Sequence, residues 1–274
     1  MKGTSKNGLY YEVEGQGPWL TLSHSLACDL HMWDPQMELL TKHFKVLRFD
    51  TRGHGKSKVP SAPYTLDELA IDVAELFIEL GIQRTHWMGL SMGGMIGQTM
   101  ILKWPQLFLS IVLADTTSRR PDNAVQMWAD RAKIAQEQGM QGLLESTLTR
   151  WFTQSYIAEN SPKLQKIADG ILATPVEGFA GCSSAIAHIN TFDRLNEIKC
   201  PTMIIVGIED HGTPPEMAKK IHSQIKDSVL HIIPNASHIS NVEQTEVFNQ
   251  HLVDFWGLDE DDFVEDEDLE YDAD

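Results

Sequence analysis

The segment His86-Trp87-Met88-Gly89-Leu90-Ser91-Met92-Gly93-Gly94 carries the spacing Gly-x-Ser-x-Gly. A serine on a sharp strand-to-helix turn sits in a strained backbone conformation, and its close neighbours must be small, a need that Gly89 and Gly93 meet. An apolar run precedes Ser91, and a helix-period pattern (Met95, Ile96, Met100, Ile101) follows it and ends near Trp104-Pro105. The first turn of such a helix offers N–H groups where negative charge develops during attack on a carbonyl. Without this context the motif would read equally well as a glycine-rich turn holding an ordinary serine.

A serine hydroxyl becomes a nucleophile when a base lies within hydrogen-bond reach and a third group orients the base. After a strand–serine–helix turn the partners follow in the order Ser, then Asp or Glu, then His. Of eleven histidines, His238 combines three features: it follows the apolar run Val229–Ile233, sits in the loop Asn235-Ala236-Ser237-His238, and precedes the last helix pattern. His211, His222 and His231 lack that combination. The orienting acid belongs in the loop after Met203–Gly207, where Asp210 is the choice and Glu209 its rival. The oxyanion needs two N–H donors. Leu20-Thr21-Leu22-Ser23-His24-Ser25-Leu26 is an apolar run entering a polar loop, so the backbone N–H groups of Leu26 and Met92 are the candidates. His24 reads as a structural loop histidine.

Asp50-Thr51-Arg52-Gly53-His54-Gly55-Lys56-Ser57 is also rich in chemical groups, but reads as structural: an Asp–Arg pair and glycines fixing a tight loop beside the serine turn. The His and Cys residues are too dispersed for a zinc pattern. There is no dinucleotide fingerprint and no P-loop. The chemistry thus calls for no metal and no cofactor.

The elements that position these groups follow from periodicity. Strands are expected at Leu9–Val13, Trp19–Ser23, Phe44–Phe49, His86–Leu90, Ile111–Ala114, Met203–Gly207 and Val229–Ile233. The later ones are near-continuous apolar runs, as for strands buried on both faces. A helix over Thr65–Leu80 opens with Thr65 and Glu68 in a capping-box pattern and stops at Gly81. Another spans Val242–Phe255, with Asn241 and Gln244 in cap positions. Alternating strands and helices imply an α/β fold with a mostly parallel central sheet flanked by helices. The alternation breaks over residues 117–190, which read as several helices, punctuated by Pro162 and Pro175. The expected organisation is a core of 1–116 and 191–258, a helical cap of 117–190, and a tail of 259–274.

The 274 residues suffice for one sizeable core plus a cap. The formal net charge is −17, unevenly spread: eleven of the 39 acids lie in the tail, which has no Lys or Arg, leaving 28 acids against 22 bases, or −6, in the rest. Self-repulsion makes a disordered tail the expectation. An acidic chain speaks against nucleic-acid binding. No apolar run could span a bilayer, and the first residues lack a secretory h-region. Three scattered cysteines, Cys28, Cys182 and Cys200, read as reduced thiols in a cytoplasmic protein. The oligomeric state is not legible.

Taken together, these residues resemble the α/β-hydrolase superfamily over about residues 8–256, and within it the 3-oxoadipate enol-lactonases. The likeness lies in Ser25-Leu26, His31-Met32-Trp33-Asp34-Pro35-Gln36, Asp50–Ser57, Gly89–Gly94, Leu148–Thr153, Gly178–Cys182, Asp210 with Thr213-Pro214-Pro215, and His238–Gln244. Ala27-Cys28 stands where such enzymes usually have Gly-Thr, and the acidic tail is a further departure. The resemblance implies a lactone- or ester-cleaving serine hydrolase acting on a small molecule through an acyl-enzyme. Ser25, Trp128, Trp151, Phe179 and Ile239, with Met127, are expected to line its pocket. An enol-lactone carries a free carboxylate that calls for an arginine, for which Arg131 and Arg150 are candidates. The alternatives are an acyl-homoserine lactone lactonase, which would want a long apolar channel without a buried cation, and a general carboxylesterase. Less favoured are a cofactor-free perhydrolase and a ligand-binding protein without turnover.

Overall fold

The computed structural model describes residues 1–258, so the segment 259–274, and with it the expectation of a disordered tail, lies outside the described residues. Eight strands form one sheet: β1 (Lys2–Thr4), β2 (Tyr10–Glu14), β3 (Trp19–Ser23), β4 (Lys45–Phe49), β5 (Thr85–Leu90), β6 (Phe108–Ala114), β7 (Thr202–Gly207) and β8 (Val229–Ile233). Their order is β1-β2-β4-β3-β5-β6-β7-β8, with β1 and β2 antiparallel and the rest parallel. β1 escaped the periodicity because three polar or small residues carry no pattern; pairing with Tyr10–Glu12 makes it a strand.

The apolar runs of β5 to β7 are buried throughout their central residues, with Trp87, Met88, Ile111–Ala114 and Met203–Val206 in the core. β8 departs from that expectation. It is the edge strand, and Val229 and Ile232 are 41% and 37% exposed although the run is just as apolar.

Helices cover both faces of a parallel sheet because each crossover must return the chain to the same edge. The first three are α1 (Asp34–His43), α2 (Leu66–Leu80) and α3 (Met92–Lys103). In α2 the capping box forms as expected: the Thr65 hydroxyl accepts the Glu68 N–H, and the Glu68 carboxylate accepts the Thr65 N–H at 2.8 Å. Gly81 ends the helix in the left-handed region.

Five helices occupy the interval between β6 and β7: α4 (Ala124–Gln138), α5 (Gln141–Trp151), α6 (Gln154–Glu159), α7 (Pro162–Ala173) and α8 (Val176–Ala187). The two ends of this interval meet, the Ser118 carbonyl accepting the Thr191 N–H at 2.8 Å and the Ile189 carbonyl the Arg120 N–H at 3.1 Å. The backbone of α8 rests directly on the Gly53 loop. A Cβ added to Gly178 would lie 1.9 Å from the Gly53 carbonyl oxygen.

The remaining helices are α9 (Pro215–Gln224), α10 (Ser240–Glu243) and α11 (Thr245–Trp256). The expected single helix over Val242–Phe255 is therefore two, broken at Gln244, whose ψ is 58°. Neither expected cap forms. The Asn241 amide is buried and donates to the Met32 carbonyl and the Gln36 side chain, while the Gln244 amide donates to the Asn235 carbonyl.

Gly178→Ala should destabilise the protein by about 1–3 kcal/mol, because backbone meets backbone and nothing flexible can give way. Gly170→Ala, in α7 with nothing within 4 Å of the added carbon, should stabilise it by about 0.5–1 kcal/mol. Urea unfolding midpoints of the two variants, shifted in opposite directions, check both statements.

Candidate active site

β5 ends at Leu90 and α3 begins at Met92, leaving Ser91 to make the turn alone at φ 55°, ψ −113°. The Ser91 N–H donates to the Ala114 carbonyl at 2.9 Å, and its own carbonyl accepts the Thr116 hydroxyl at 2.7 Å, so both peptide groups are tied to the end of β6. A Cβ on Gly89 would lie 2.2 Å from the Gly93 oxygen, and one on Gly93 would lie 2.0 Å from the Ser23 oxygen. The two glycines are therefore demanded by the close approach of backbone to backbone.

The loops after β7 and β8 bring the other two expected residues to Ser91. His238 Nε2 lies 2.9 Å from Ser91 Oγ, and His238 Nδ1 lies 2.8 Å from Asp210 Oδ2. Asp210 Oδ1 accepts the N–H groups of Gly212 and Thr213 at 2.7 and 2.9 Å, and Oδ2 also accepts the Thr213 hydroxyl at 2.8 Å. Burial opposes charge on Asp210, but the neighbouring imidazole and these donors together hold its carboxyl below the usual range. Glu209, the rival, is exposed, as is His211. Such a chain of hydroxyl, imidazole and carboxylate has the parts needed to activate a nucleophile.

Under the loop Ser25–Ala27 lie two buried histidines. His54 Nε2 accepts the Ala27 N–H at 2.9 Å, holding Ala27 at φ 57°, and His24 Nε2 accepts the Thr51 N–H at 2.9 Å. His24 Nδ1 faces the Ser25 carbonyl at 2.7 Å. Burial pushes His54 down to about 3 and lowers His24 as well, so both rings stay neutral and serve as frame. The Asp–Arg pair expected in the adjoining segment does not form. Asp50 accepts the backbone N–H groups of Leu30 and Lys56, while Arg52 reaches α2 and pairs with Asp72 at 2.5 and 2.7 Å. The Asp50 carboxyl sits at the end of a strand amid unpaired N–H donors, and those satisfy it instead.

One buried acid beside the site had no distinguishing pattern. Asp115 follows β6, accepts the Gly207 N–H at 2.8 Å and bonds the Ser240 hydroxyl at 2.5 Å. Burial, and then the nearby Asp210, raise it well above the usual carboxylate range. Its one sequence signal is a charged residue closing an apolar run at the level where the other site loops begin.

A small cavity of about 40 Å³ opens beside Ser91 and His238. Of the residues expected there, Ser25, Trp128, Arg131, Arg150, Trp151 and Phe179 line it, and Leu26, the candidate oxyanion donor, lies in the same wall. Ile239 is not in that wall: its side chain is buried within the hydrophobic core, and its N–H donates to the Trp151 carbonyl. Met127 is half-buried on α4 and outside the cavity wall. Met92 opens α3, so its N–H has no carbonyl one turn back within the helix. The guanidinium carbons of Arg131 and Arg150 lie 5.9 and 5.7 Å from the Trp128 ring centre. Arg131 donates to the Thr147 hydroxyl at 2.8 Å. Burial, then Arg150, lower Arg131 to about 10, and burial lowers Arg150 despite Asp210. Arg131 Nε, Arg150 Nε and Ser25 Oγ are buried with no hydrogen-bond partner among the described residues. Among those residues no group of three or more His, Cys, Asp or Glu side chains is placed to hold a metal ion, and no helix is long and apolar enough to cross a membrane.

The buried histidines give a pH dependence of defined sign. Their folded pKa values lie below the unfolded value of about 6.5. The unfolded chain then binds more protons than the native one, so stability present above about pH 6.5 is lost as pH falls, for His54 toward its folded value of about 3 by up to about 1.4 kcal/mol per pH unit, with His24 acting in the same direction. His54→Gln should flatten this acid slope in urea melts between pH 7 and pH 4.5; an unchanged slope would place the acid sensitivity elsewhere.

Residues 18–245 match the family model described as the alpha/beta hydrolase fold. The chain is 34% identical over 248 residues to 3-oxoadipate enol-lactonase 2 of Acinetobacter baylyi, covering 90% of this chain and 91% of that one. It superposes on the enol-lactonase of Burkholderia xenovorans LB400 with a TM-score of 0.89 at 35% identity, over 94% of this chain and all of the other. It also superposes on a thermophilic esterase from Thermogutta terrifontis, solved with malate bound, with a TM-score of 0.86 at 30% identity, over 91% and 93% of the two chains. With its mostly parallel eight-stranded sheet, its flanking helices and this likeness over nine-tenths of its length, the chain belongs to the α/β-hydrolase family and is a hydrolase similar to 3-oxoadipate enol-lactonases.

Proposed function

We propose that the protein is a serine-dependent lactonase whose substrate carries a free carboxylate, in the manner of a 3-oxoadipate enol-lactone. In this reading His238 Nε2 takes the proton of Ser91 as Oγ attacks the ring carbonyl. The N–H groups of Leu26 and Met92 stabilise the oxyanion. Asp210 orients the imidazole through Nδ1 and stabilises its protonated form. Collapse of the tetrahedral species breaks the ring C–O bond and leaves an acyl-enzyme, with the proton passing from His238 to the departing enol oxygen. Water, deprotonated by His238, then releases the diacid and restores Ser91.

The observation that carries the substrate class is the pair of unpaired guanidiniums beside Ser91. Elsewhere the chain pairs its buried arginines: Arg48 meets Glu12, Glu14 and Asp34, and Arg52 meets Asp72. Arg131 and Arg150 have no ion pair among the described residues, yet line the cavity that holds Ser91. Burying a cation without a partner is costly, and a bound carboxylate would offset that cost. A long apolar channel, as an acyl-homoserine lactone would want, does not agree with two cations and about 40 Å³. We further propose that the helices of 117–190 act as a cap that shifts to admit substrate, since ligand sites usually span about 300–1,000 Å³.

Ser91→Ala should lower kcat on 3-oxoadipate enol-lactone by about 10³-fold or more; undiminished turnover would place the chemistry elsewhere. Arg131→Met and Arg150→Met should each reduce kcat/KM far more for the enol-lactone than for p-nitrophenyl acetate. Arg131→Met should also raise the thermal midpoint of the free protein, because it removes a charge that folding disfavours. Equal losses on both substrates would count against carboxylate recognition by these residues.

A further inference from the structure

We propose that Glu243 is a positioning residue that locks the His238 loop to the Arg150–Thr153 turn, so that the base and the arginine receiving the substrate carboxylate move as one unit. The proposal rests on the reading of Ser91, His238 and Arg150 given above. Glu243 ends α10, is buried, and makes no ion pair among the described residues. Its carboxylate is occupied wholly by neutral donors from two segments far apart in sequence. Oε2 accepts the Ser237 N–H at 2.7 Å, on the loop of the base. Oε1 accepts the Thr153 N–H at 2.9 Å and the Thr153 hydroxyl, just beyond the end of α5.

The two segments are stitched on either side of His238 as well. The Ser237 hydroxyl lies 3.2 Å from the Arg150 carbonyl and 3.1 Å from the Glu209 carbonyl, which neighbours Asp210. The Ile239 N–H donates to the Trp151 carbonyl at 3.2 Å, and the Trp151 ring centre lies 6.2 Å from that of His238. The residues before and after the base are thus bonded to Arg150 and Trp151, respectively, the two residues that end α5. Glu243 closes this arrangement, and among the described residues no other side chain accepts from both segments. A displacement of the α5 end would carry the imidazole with it, and a misplacement of about 1 Å at a reacting group can cost about 10²-fold in rate. Conversely, a carboxylate that draws in Arg150 acts on the segment that holds the base.

The test compares Glu243→Ala and Glu243→Gln in the full chain, with rates expressed per folded molecule, on p-nitrophenyl acetate and on the p-nitrophenyl monoester of succinic acid. Glu243→Ala should lower kcat on both esters by about tenfold or more, and should raise KM several-fold more for the monoester than for the acetate. Glu243→Gln can accept the Ser237 N–H through its carbonyl and donate to the Thr153 hydroxyl through its amide but leaves the Thr153 N–H without its acceptor, so it should recover part of both losses and fall between the parent and Glu243→Ala. A purely structural role predicts a lowered melting temperature with kcat and KM within about twofold of the parent, and that result overturns the proposal. If Glu243→Ala does not fold, Thr153→Val, which deletes one donor and keeps the side-chain shape, should give the same split at about two- to threefold; no split overturns the proposal. Activity persisting in Ser91→Ala would overturn both the site and the coupling. An inactive Ser91→Ala and a raised monoester KM in Arg150→Met, with no split in the Glu243 variants, would overturn the coupling alone.

Discussion

Ser91 is held at φ 55°, ψ −113°, a conformation that costs an L residue about 1–3 kcal/mol, and the structure restrains it from three sides. The last residue of β6 and Thr116 just beyond it hold its two peptide groups, β3 packs against Gly93 with no room for a side chain, and α3 starts at the next residue. That restraint is available because β3, β5 and β6 are neighbouring central strands, parallel and buried on both faces. Parallel strands end at one edge of the sheet, so the loops carrying Ser25–Ala27, Asp210 and His238 leave from the same side as Ser91. The order of strands therefore brings together groups up to 147 residues apart in the chain.

Two electrostatic regimes meet across the small cavity. On the floor, charge is satisfied in place: Asp210 has donors for both oxygens, and His24 and His54 stay neutral while holding backbone N–H groups. On the roof, Arg131 and Arg150 keep donors without acceptors and lean on Trp128. A fold selected for stability alone would pair or remove such charges. Their retention beside the proposed nucleophile is most simply read as readiness for an anion, and the segment bearing Arg150 is bonded to the loop bearing the proposed base.

Much of this is legible in the amino-acid sequence, for reasons that lie in local physics. Seven strands are legible because each is a short run rich in apolar and β-branched residues, near-continuous in the buried parallel strands β5 to β7, and α2 is legible because capping box, stripe and glycine stop are all local signals. Ser91, Asp210 and His238 stood out because a strained turn demands glycines and because the partner loops follow strands in fixed order. The failures concern what a residue meets far away in the chain. The local sequence offers Arg52 an acid two residues away in Asp50, whereas in the fold α2 presents Asp72 to it. Val242–Phe255 has the periodicity of one helix, and the break at Gln244 leaves no mark in that pattern. Ile239 is apolar and next to the base, but whether it faced cavity or core depended on packing. Asp115 and the two-sided bonding of Glu243 carry no local pattern, since their partners come from separate strands and helices.

The most direct test of the central claim is to identify the residue that becomes covalently attached. Reaction of the protein with a p-nitrophenyl alkylphosphonate, followed by peptide mass spectrometry, should place a single phosphonyl group on Ser91 in parallel with loss of hydrolysis, and excess adipate should slow the labelling. Complete inactivation with Ser91 unmodified, or full activity with Ser91 modified, would contradict the account.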